Sequence, residues 1–257
     1  MVTSGCEGGR DRRTPVEREA EKAWAGNMDQ TSESETGRRA ALIEAETRAL
    51  SLFGAIEAAG LIAPGRTERE VEEDIFTLAE QRLGVTQHWH RRIVRSGPNT
   101  LTTASDYPDV RTIEADDTVY VDLGPVFEPW EADIGRTYAL GGSQAKRQLV
   151  DDLPRVFERV QRHFHASSGI TGAELYAFAQ QAADEAGWVF GGAIAGHLLG
   201  EFPHARWPIE RSFALIWPAN THPMREKDHL GRDRHWILEI HLVDRARTFG
   251  GFYERLL

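Results

Sequence analysis

The sequence contains very little cysteine: Cys6 is the single one among 257 residues. One cysteine cannot build a disulfide framework within the chain, and such scarcity fits a reducing compartment. The sequence also has no apolar run long enough for a transmembrane helix, and its first residues lack the apolar stretch of a signal peptide. We therefore expect a cytoplasmic protein with no membrane partner.

Basic residues are scarce relative to acidic ones. Lys and Arg number 30 against 40 Asp and Glu, which gives a formal net charge of -10. Nucleic acids and anionic membranes are bound by clustered Lys and Arg, and no such cluster stands out in the sequence. The charge balance therefore argues against a nucleic-acid partner.

Hydrophobic residues make up 40% of the chain, which is enough for a substantial core. Large apolar residues are few in residues 1–36, where we predict a tail with little fixed structure and at most a short helix from Pro15 to Trp24. Residues 37–257 are predicted to form a single domain.

The apolar pattern predicts helices and strands that do not alternate regularly. Apolar residues recur at helical spacing in the segments 38–59, 67–83, 145–166 and 171–187. Thr67 and Thr171 each open a capping box, a signal of a helix start. Strands are predicted at 85–96, 118–124, 132–140, 236–243 and 251–256. Since this order is not that of a doubly wound parallel sheet, we predict an α+β domain.

Two acidic residues lie in apolar segments that are typical of buried strands. Asp122 stands between Val121 and Leu123, and Asp133 stands at the start of the return strand after a turn. A carboxylate buried in such surroundings is costly unless it is paired or bound to a metal. Two of them close together indicate a cation site.

Further candidate ligands follow later in the chain. His197 lies between Gly196 and Gly200, and Glu239 and Glu254 each interrupt an apolar strand. Four carboxylates and one imidazole form an oxygen-rich donor set that suits two divalent ions such as Mn²⁺, Co²⁺, Fe²⁺ or Zn²⁺. Two such ions can activate water as a nucleophile and polarise a carbonyl group.

The order and spacing of these residues resemble the ligand pattern of the pita-bread metallohydrolases, the M24 family of methionine aminopeptidase, Xaa-Pro aminopeptidase, prolidase and creatinase. The resemblance covers roughly residues 38–257 and includes His204, which follows His197. It implies a curved, mostly antiparallel sheet flanked by helices, and it implies that His204 contacts the substrate carbonyl during catalysis.

The resemblance also implies a role for each ligand. Asp122 would chelate one ion, Asp133 and Glu254 would bridge both ions, and His197 and Glu239 would complete the other. Glu239 would also carry the proton during catalysis.

The sequence departs from the aminopeptidase pattern in one place. Aminopeptidases of this family carry a His shortly after the strand that here ends near Ser96, and the segment 102–107 has none. A proton could come from another His instead. The candidate substrate contacts are His88, Trp89, His90 and His241. By strand alternation, His88 and His90 would share one face, and His241 would share a face with Glu239.

We expect a dinuclear hydrolase, similar to an aminopeptidase, that cleaves an amide or peptide C–N bond with a metal-bound hydroxide. One alternative is a hydrolase of small amides or amidines on the same fold, which the missing His and the Trp- and His-rich segment 204–236 favour. The other is a metal-free binding module with this fold. The expected substrate is a small peptide or a small-molecule amide, and the chain is compatible with a homodimer.

Overall fold

A seven-stranded sheet forms the framework of residues 39–257, which make up one compact unit. The computed structural model describes residues 34–206 and 209–257. The strands of the sheet are β1 (Ile93–Ser96), β2 (Thr118–Leu123), β5 (Ile134–Ala139), β6 (Val189–Phe190), β7 (Gly196–Leu199), β8 (His235–Val243) and β9 (Gly250–Leu256), and a separate small hairpin pairs β3 (Val126–Phe127) with β4 (Trp130–Glu131). The sheet runs β1-β2-β5-β9-β8-β6, with β7 paired to β8, and neighbouring strands are antiparallel.

The helices confirm the predicted apolar segments to within a few residues. They are α1 (Glu35–Ala58), α2 (Glu68–Leu83), α3 (Gln144–Ala166) and α4 (Gly172–Glu185). Thr67 and Thr171 both form the predicted capping boxes, in which the Thr hydroxyl accepts a hydrogen bond from the backbone N–H of the Glu three residues later. No helix in the described part of the chain is both long and apolar enough to cross a membrane.

Alternation along the strands separates packing residues from site residues. On β2, the side chains of Val119, Val121 and Leu123 are buried in one apolar cluster with residues of α1 and α2. On β8, alternate apolar residues such as Leu238 and Ile240 are buried in a second cluster with α3 and α4. The intervening residues of each strand point to the opposite face of the sheet. That face carries the acidic residues. The order of helices and strands confirms the α+β prediction.

Glu68 fixes the end of β1 against α2. Its buried carboxylate accepts hydrogen bonds from the backbone N–H of Ser96 at 2.6 Å, from Asn99 Nδ2 at 3.0 Å and from the backbone N–H of Arg111 at 3.1 Å. These bonds satisfy a buried charge with several donors. They also hold β1 in register with β2, where Ile93 lies opposite Asp122.

The strand predicted over 85–96 is shorter in the structure. It begins at Ile93, and residues 84–92 are irregular apart from a single bridge between His88 and Pro125. The backbone of this segment bonds to the end of β2 and the start of β3, with the Trp89 N–H donating to the Gly124 carbonyl at 2.9 Å. These few backbone hydrogen bonds do not form the regular hydrogen-bond pattern of a β-strand. The prediction that His88 and His90 share a strand face is therefore wrong.

Two short strands lie where the sequence predicts none. The strands β6 and β7 fall between α4 and β8, and both pair with β8. The predicted tail over residues 1–36 and the helix from Pro15 to Trp24 fall outside the described residues, except that α1 already begins at Glu35. The tail and the domain boundary at residue 37 therefore stay predictions.

Candidate metal centre

Three acidic residues lie in one row across the sheet. The strand register places Asp122 opposite Gly135, Gly135 opposite Glu254, and Glu254 opposite Glu239. Side chains at opposite positions share a face, and like charges there repel each other. A row of carboxylates on neighbouring strands therefore needs protons or a cation between them.

Asp133 faces this row from the residue before β5, and its two oxygens contact two different imidazoles. Asp133 Oδ1 lies 3.1 Å from His90 Nε2, and Asp133 Oδ2 lies 3.0 Å from His197 Nε2. The residue is only 2% exposed. Its carboxylate is therefore shared between two nitrogen donors that approach from different parts of the chain.

His197 reaches the acids because β7 lies very close to β8. Gly196 has a φ of 135°, and a Cβ at this position would lie 1.9 Å from the Ile237 carbonyl oxygen. Only glycine fits this backbone conformation and this approach. Gly196 therefore lets β7 approach β8 closely enough to bring His197 beside the acids.

The His197 ring is oriented by the backbone and points at three carboxylates. Its Nδ1 lies 2.7 Å from the Leu198 carbonyl oxygen, which requires an N–H at Nδ1. Its Nε2 lies 3.0 Å from Asp133, 3.6 Å from Glu239 and 3.8 Å from Glu254. A neutral imidazole in this tautomer presents a lone pair to the carboxylates, as metal-ligating histidines do.

The ligand atoms form two groups that share Asp133. One group contains His90, Asp122 and Asp133, and the other contains Asp133, His197 and Glu254. Within each group the donor atoms lie within 4.8 Å of one another. Glu239 adjoins the second group through its contact with His197. The structure thus brings together the five residues predicted as ligands, and it adds His90 to them.

Burial and mutual repulsion change the proton affinity of the acids. Burial raises the pKa of Asp122 to about 7, although His90 opposes the rise. Burial also raises the pKa of Glu239 to about 7, against the opposing effect of His197. Burial, reinforced by Asp133 and Asp122, raises the pKa of Glu254 well above its usual value. Burial and the neighbouring carboxylates therefore raise the proton affinity of three of the acids.

The pKa shifts of Asp133 and of the two imidazoles favour the charged forms of these groups. Burial alone would raise the pKa of Asp133, yet its contacts with His90 and His197 lower it below the usual range. Burial opposes charge on His197, but Asp133 and Glu239 raise the pKa of this imidazole to about 9. The same balance raises the pKa of His90 to about 10, through Asp133 and Asp122. Asp133 is therefore the ionised acid of the cluster.

The donor set fits divalent ions. Glu254 Oε2 is buried and has no hydrogen-bond partner among residues 34–206 and 209–257, which is costly for a carboxylate oxygen unless another group coordinates it. Carboxylate oxygens with imidazole nitrogens are ligands that Mn²⁺, Co²⁺, Fe²⁺ and Zn²⁺ accept. Asp122, Asp133, His197, Glu239 and Glu254 could together hold such ions.

His204 lies beside these residues and is held by a buried acid. Its Nδ1 pairs with Glu131 Oε2, and its backbone N–H donates to Glu131 Oε1 at 3.1 Å. Glu131 is fully buried on β4. The His204 ring is parallel to that of His197, with centroids 5.8 Å apart. Glu131 therefore holds the His204 ring beside His197.

Sequence reasoning missed Glu131. It lies in the run Trp130-Glu131-Ala132-Asp133, an acid in apolar company just before a candidate ligand. The signal that identified Asp122, a carboxylate among strand-forming apolar residues, is present there too. Its partner His204 is 73 positions away, so spacing in the sequence offers no clue to the pair.

Trp89 packs among the imidazoles of the site. Its ring makes edge contacts with the rings of His90, His204 and His197, at centroid distances of 4.4, 4.7 and 5.1 Å. Its Nε1 donates to the Ala132 carbonyl at 3.3 Å. The structure thus places Trp89 in the site, and its contact with substrate stays a prediction.

Two of the predicted substrate contacts do not join the acids. The His241 ring is buried, and its Nε2 lies 2.8 Å from the Thr100 carbonyl oxygen, beside Tyr120 and Phe252. His241 shares the face of Glu239, as alternation predicts, but it lies one row further along and is engaged there. The His88 ring packs near Phe76, and burial lowers its pKa to about 3. Neighbouring side chains thus enclose both residues away from the acids, and their contact with substrate stays a prediction.

Comparison with known proteins agrees with this geometry. The model of metallopeptidase family M24 matches residues 40–230. The Xaa-Pro dipeptidase of Lactobacillus delbrueckii subsp. lactis is 28% identical over 124 residues, which are 48% of this chain and 33% of the relative. The chain therefore aligns with about a third of the length of this curated relative.

Solved structures show the same fold. The X-Pro aminopeptidase from Thermotoga maritima MSB8 superimposes with a TM-score of 0.65 and 22% identity, over 90% of this chain and 60% of that one. The recombinant prolidase from Thermococcus sibiricus has a TM-score of 0.64 and 20% identity, over 95% of this chain and 65% of that one. These likenesses confirm the predicted pita-bread fold. Because the family model extends over most of the described residues, we conclude that the chain belongs to metallopeptidase family M24.

Proposed function

We propose that the chain is a hydrolase with two divalent metal ions that cleaves a peptide or related amide bond, in the manner of an aminopeptidase or dipeptidase. Membership of family M24 implies a divalent metal cofactor. Two ions are proposed because the two oxygens of Asp133 face two different groups of candidate ligand atoms. The Xaa-Pro dipeptidases among the relatives make Xaa-Pro dipeptides the first substrates to test.

The candidate ligands divide between the two ions in the proposal. Asp122 lies on one side of Asp133, and His197, Glu239 and Glu254 lie on the other. When bound, two ions at such a site supply a water nucleophile at neutral pH and polarise the scissile carbonyl. Mn²⁺ and Co²⁺ are the ions to test first, because the set is rich in oxygen with some nitrogen.

The proton transfers are assigned to Glu239, which lies half-buried beside His197. A carboxylate at this position can accept a proton from the attacking water and return it to the leaving amine. In this proposal Glu239 performs both transfers, which fits the prediction that it is a catalytic residue.

In this proposal His204 acts on the carbonyl oxygen. Its Nδ1 pairs with Glu131 Oε2, and its backbone N–H donates to Glu131 Oε1 at 3.1 Å. A buried carboxylate behind an imidazole fixes the orientation of the ring. We assign Glu131 as a positioning residue that acts through His204.

A substrate panel tests the proposed function. Protein reconstituted with Mn²⁺ or Co²⁺ should release the N-terminal residue from Xaa-Pro or other dipeptides, as measured by chromatography of the products. The same dipeptides with an acetylated N-terminus, together with simple amides and amidines, form the second arm. Metal-free protein is the control.

The arms of the panel separate the candidate functions. Turnover of small amides but not of dipeptides would support a hydrolase of small amides and contradict a peptidase. The absence of a His in residues 102–107 favours this second candidate. No turnover of any compound by fully metal-loaded protein would contradict the proposed function.

The pKa shifts predict that metal affinity rises with pH. The pKa of Asp122 and of Glu239 is raised to about 7 and that of His197 to about 9, so the metal-free site holds protons at neutral pH. Ligands must lose these protons to bind an ion, so acid competes with the metal. Calorimetric titration with Mn²⁺ should show proton release in buffers of different ionisation enthalpy, and affinity should increase as pH rises through about 7 to about 9. An affinity that is constant over this range would contradict the assignment of these groups as ligands.

Replacing Glu131 by Gln should lower kcat/KM and leave the metal content unchanged. Loss of a charge-assisted hydrogen bond is worth about 1.5–3 kcal/mol, which is about a tenfold to hundredfold loss of rate. The double variant with His204→Ala should lose no more than His204→Ala alone, because Glu131 acts through that ring.

The matched control for Glu131 is Glu226→Gln, since Glu226 pairs with His222 at 3.3 Å on the surface. This variant should retain wild-type kinetics. Additive losses in the Glu131→Gln and His204→Ala double variant would show that Glu131 does not work through His204.

A further inference from the structure

His90 occupies a place in the cluster that the five-ligand pattern does not include. Its Nε2 lies 3.1 Å from Asp133 Oδ1 and 3.5 Å from Asp122 Oδ1. Donor atoms bound to one ion at about 2.0–2.2 Å lie about 2.8–3.6 Å from each other in octahedral or tetrahedral geometry. The His90 nitrogen therefore lies from each of the two carboxylate oxygens at the separation of neighbouring ligands around a single ion.

The backbone sets the tautomer of His90 in the same way as that of His197. His90 Nδ1 lies 2.7 Å from the Arg91 carbonyl oxygen, and His197 Nδ1 lies 2.7 Å from the Leu198 carbonyl oxygen. A carbonyl can only accept, so each Nδ1 carries the hydrogen. In the neutral ring, Nε2 then offers its lone pair to Asp133. The two imidazoles thus present the same atom to the two oxygens of one carboxylate.

The chain makes room for the His90 ring at Gly124. A Cβ on Gly124 would lie 2.3 Å from His90 Cδ2, 2.5 Å from His90 Nε2 and 2.5 Å from Trp89 Nε1. The Trp89 ring packs edge-on against the His90 ring, and the backbone N–H of Trp89 donates a hydrogen bond to the Gly124 carbonyl. The ring is therefore confined between Gly124 and Trp89, with its Nε2 directed at the acids.

An ion between Asp122 and Asp133 would be compatible with a neutral His90 ring but not with a protonated one. In the metal-free cluster a protonated His90 can pair with both carboxylates. A cation between those carboxylates would face the Nε2–H of a protonated ring and be repelled by it. The neutral ring directs its lone pair to the same point and binds the cation. Of the two states, only the ligand state is compatible with an ion at this position.

We propose that His90 is an additional metal ligand on the Asp122 side, so that each of the two ions has one imidazole. This assignment rests on the proposed function, because it requires a metal in the cluster. It gives Asp122, Asp133 and His90 to one ion, and it gives that ion a nitrogen donor. His90 then orders the Asp122 side of the site as His197 orders the other.

Metal titration of matched His variants tests the assignment. Co²⁺ is added to the metal-free wild type, His90→Ala, His197→Ala and His88→Ala, and binding is followed by calorimetry and by visible absorption. His90→Ala should lower the affinity for one of the two ions by at least about tenfold, and its Co²⁺ spectrum should change. His197→Ala should lower the affinity for the other ion. His88→Ala, which removes a neighbouring imidazole outside the cluster, should bind two ions as the wild type does.

A measurement without mutation guards against variants that fail to fold. Pulsed electron paramagnetic resonance of wild-type protein loaded with Mn²⁺ should show two distinct imidazole nitrogens bound to metal. A single nitrogen would overturn the assignment. Two ions of wild-type affinity in His90→Ala would also overturn it, and a slower rate in that variant would then identify His90 as a proton donor. Wild type that binds no Co²⁺ or Mn²⁺ would overturn the proposed function and this assignment together.

Discussion

The sharing of Asp133 between two imidazoles is the interaction on which the rest of the site depends. One carboxylate oxygen faces His90 at 3.1 Å and the other faces His197 at 3.0 Å. Burial by itself favours the protonated acid, but the two rings hold the pKa of Asp133 below its usual value. An ionised carboxylate in this position lies between two groups of candidate ligand atoms. In the proposed function each group would hold one of the two ions.

The fold assembles this cluster at a cost in folding free energy. Strand register places Glu239 directly opposite Glu254, and burial raises the proton affinity of both. Like charges at such positions destabilise a sheet until protons or metal ions neutralise them. The framework offsets this cost on the other face, where alternate residues of β2 and β8 pack against the helices. Ligands mounted on a paired sheet hold their geometry before an ion arrives, which favours tight binding.

The sequence predicts the framework well because its signals are local. The capping boxes at Thr67 and Thr171 and the alternation around Asp122 depend on neighbours in the chain, and the structure has all three. The strand predicted over 85–96 is shorter, beginning at Ile93, because residues 84–92 form a loop that bonds to the end of β2. Glu131 and the placement of His90 depend on contacts between residues 73 and 43 positions apart. Neither periodicity nor propensity carries information about such contacts, so only the folded chain reveals them.

The metal content of Asp133→Asn tests the central claim most directly. Asn keeps the size of the side chain and removes the charge that both halves of the cluster share. Metal-free wild type and variant are each dialysed against Mn²⁺, and bound metal is counted by elemental analysis, with circular dichroism as the check on folding. The account predicts two ions in the wild type, at most one in a folded Asp133→Asn, and loss of nearly all hydrolysis. A folded variant that keeps two ions and the wild-type rate would contradict it.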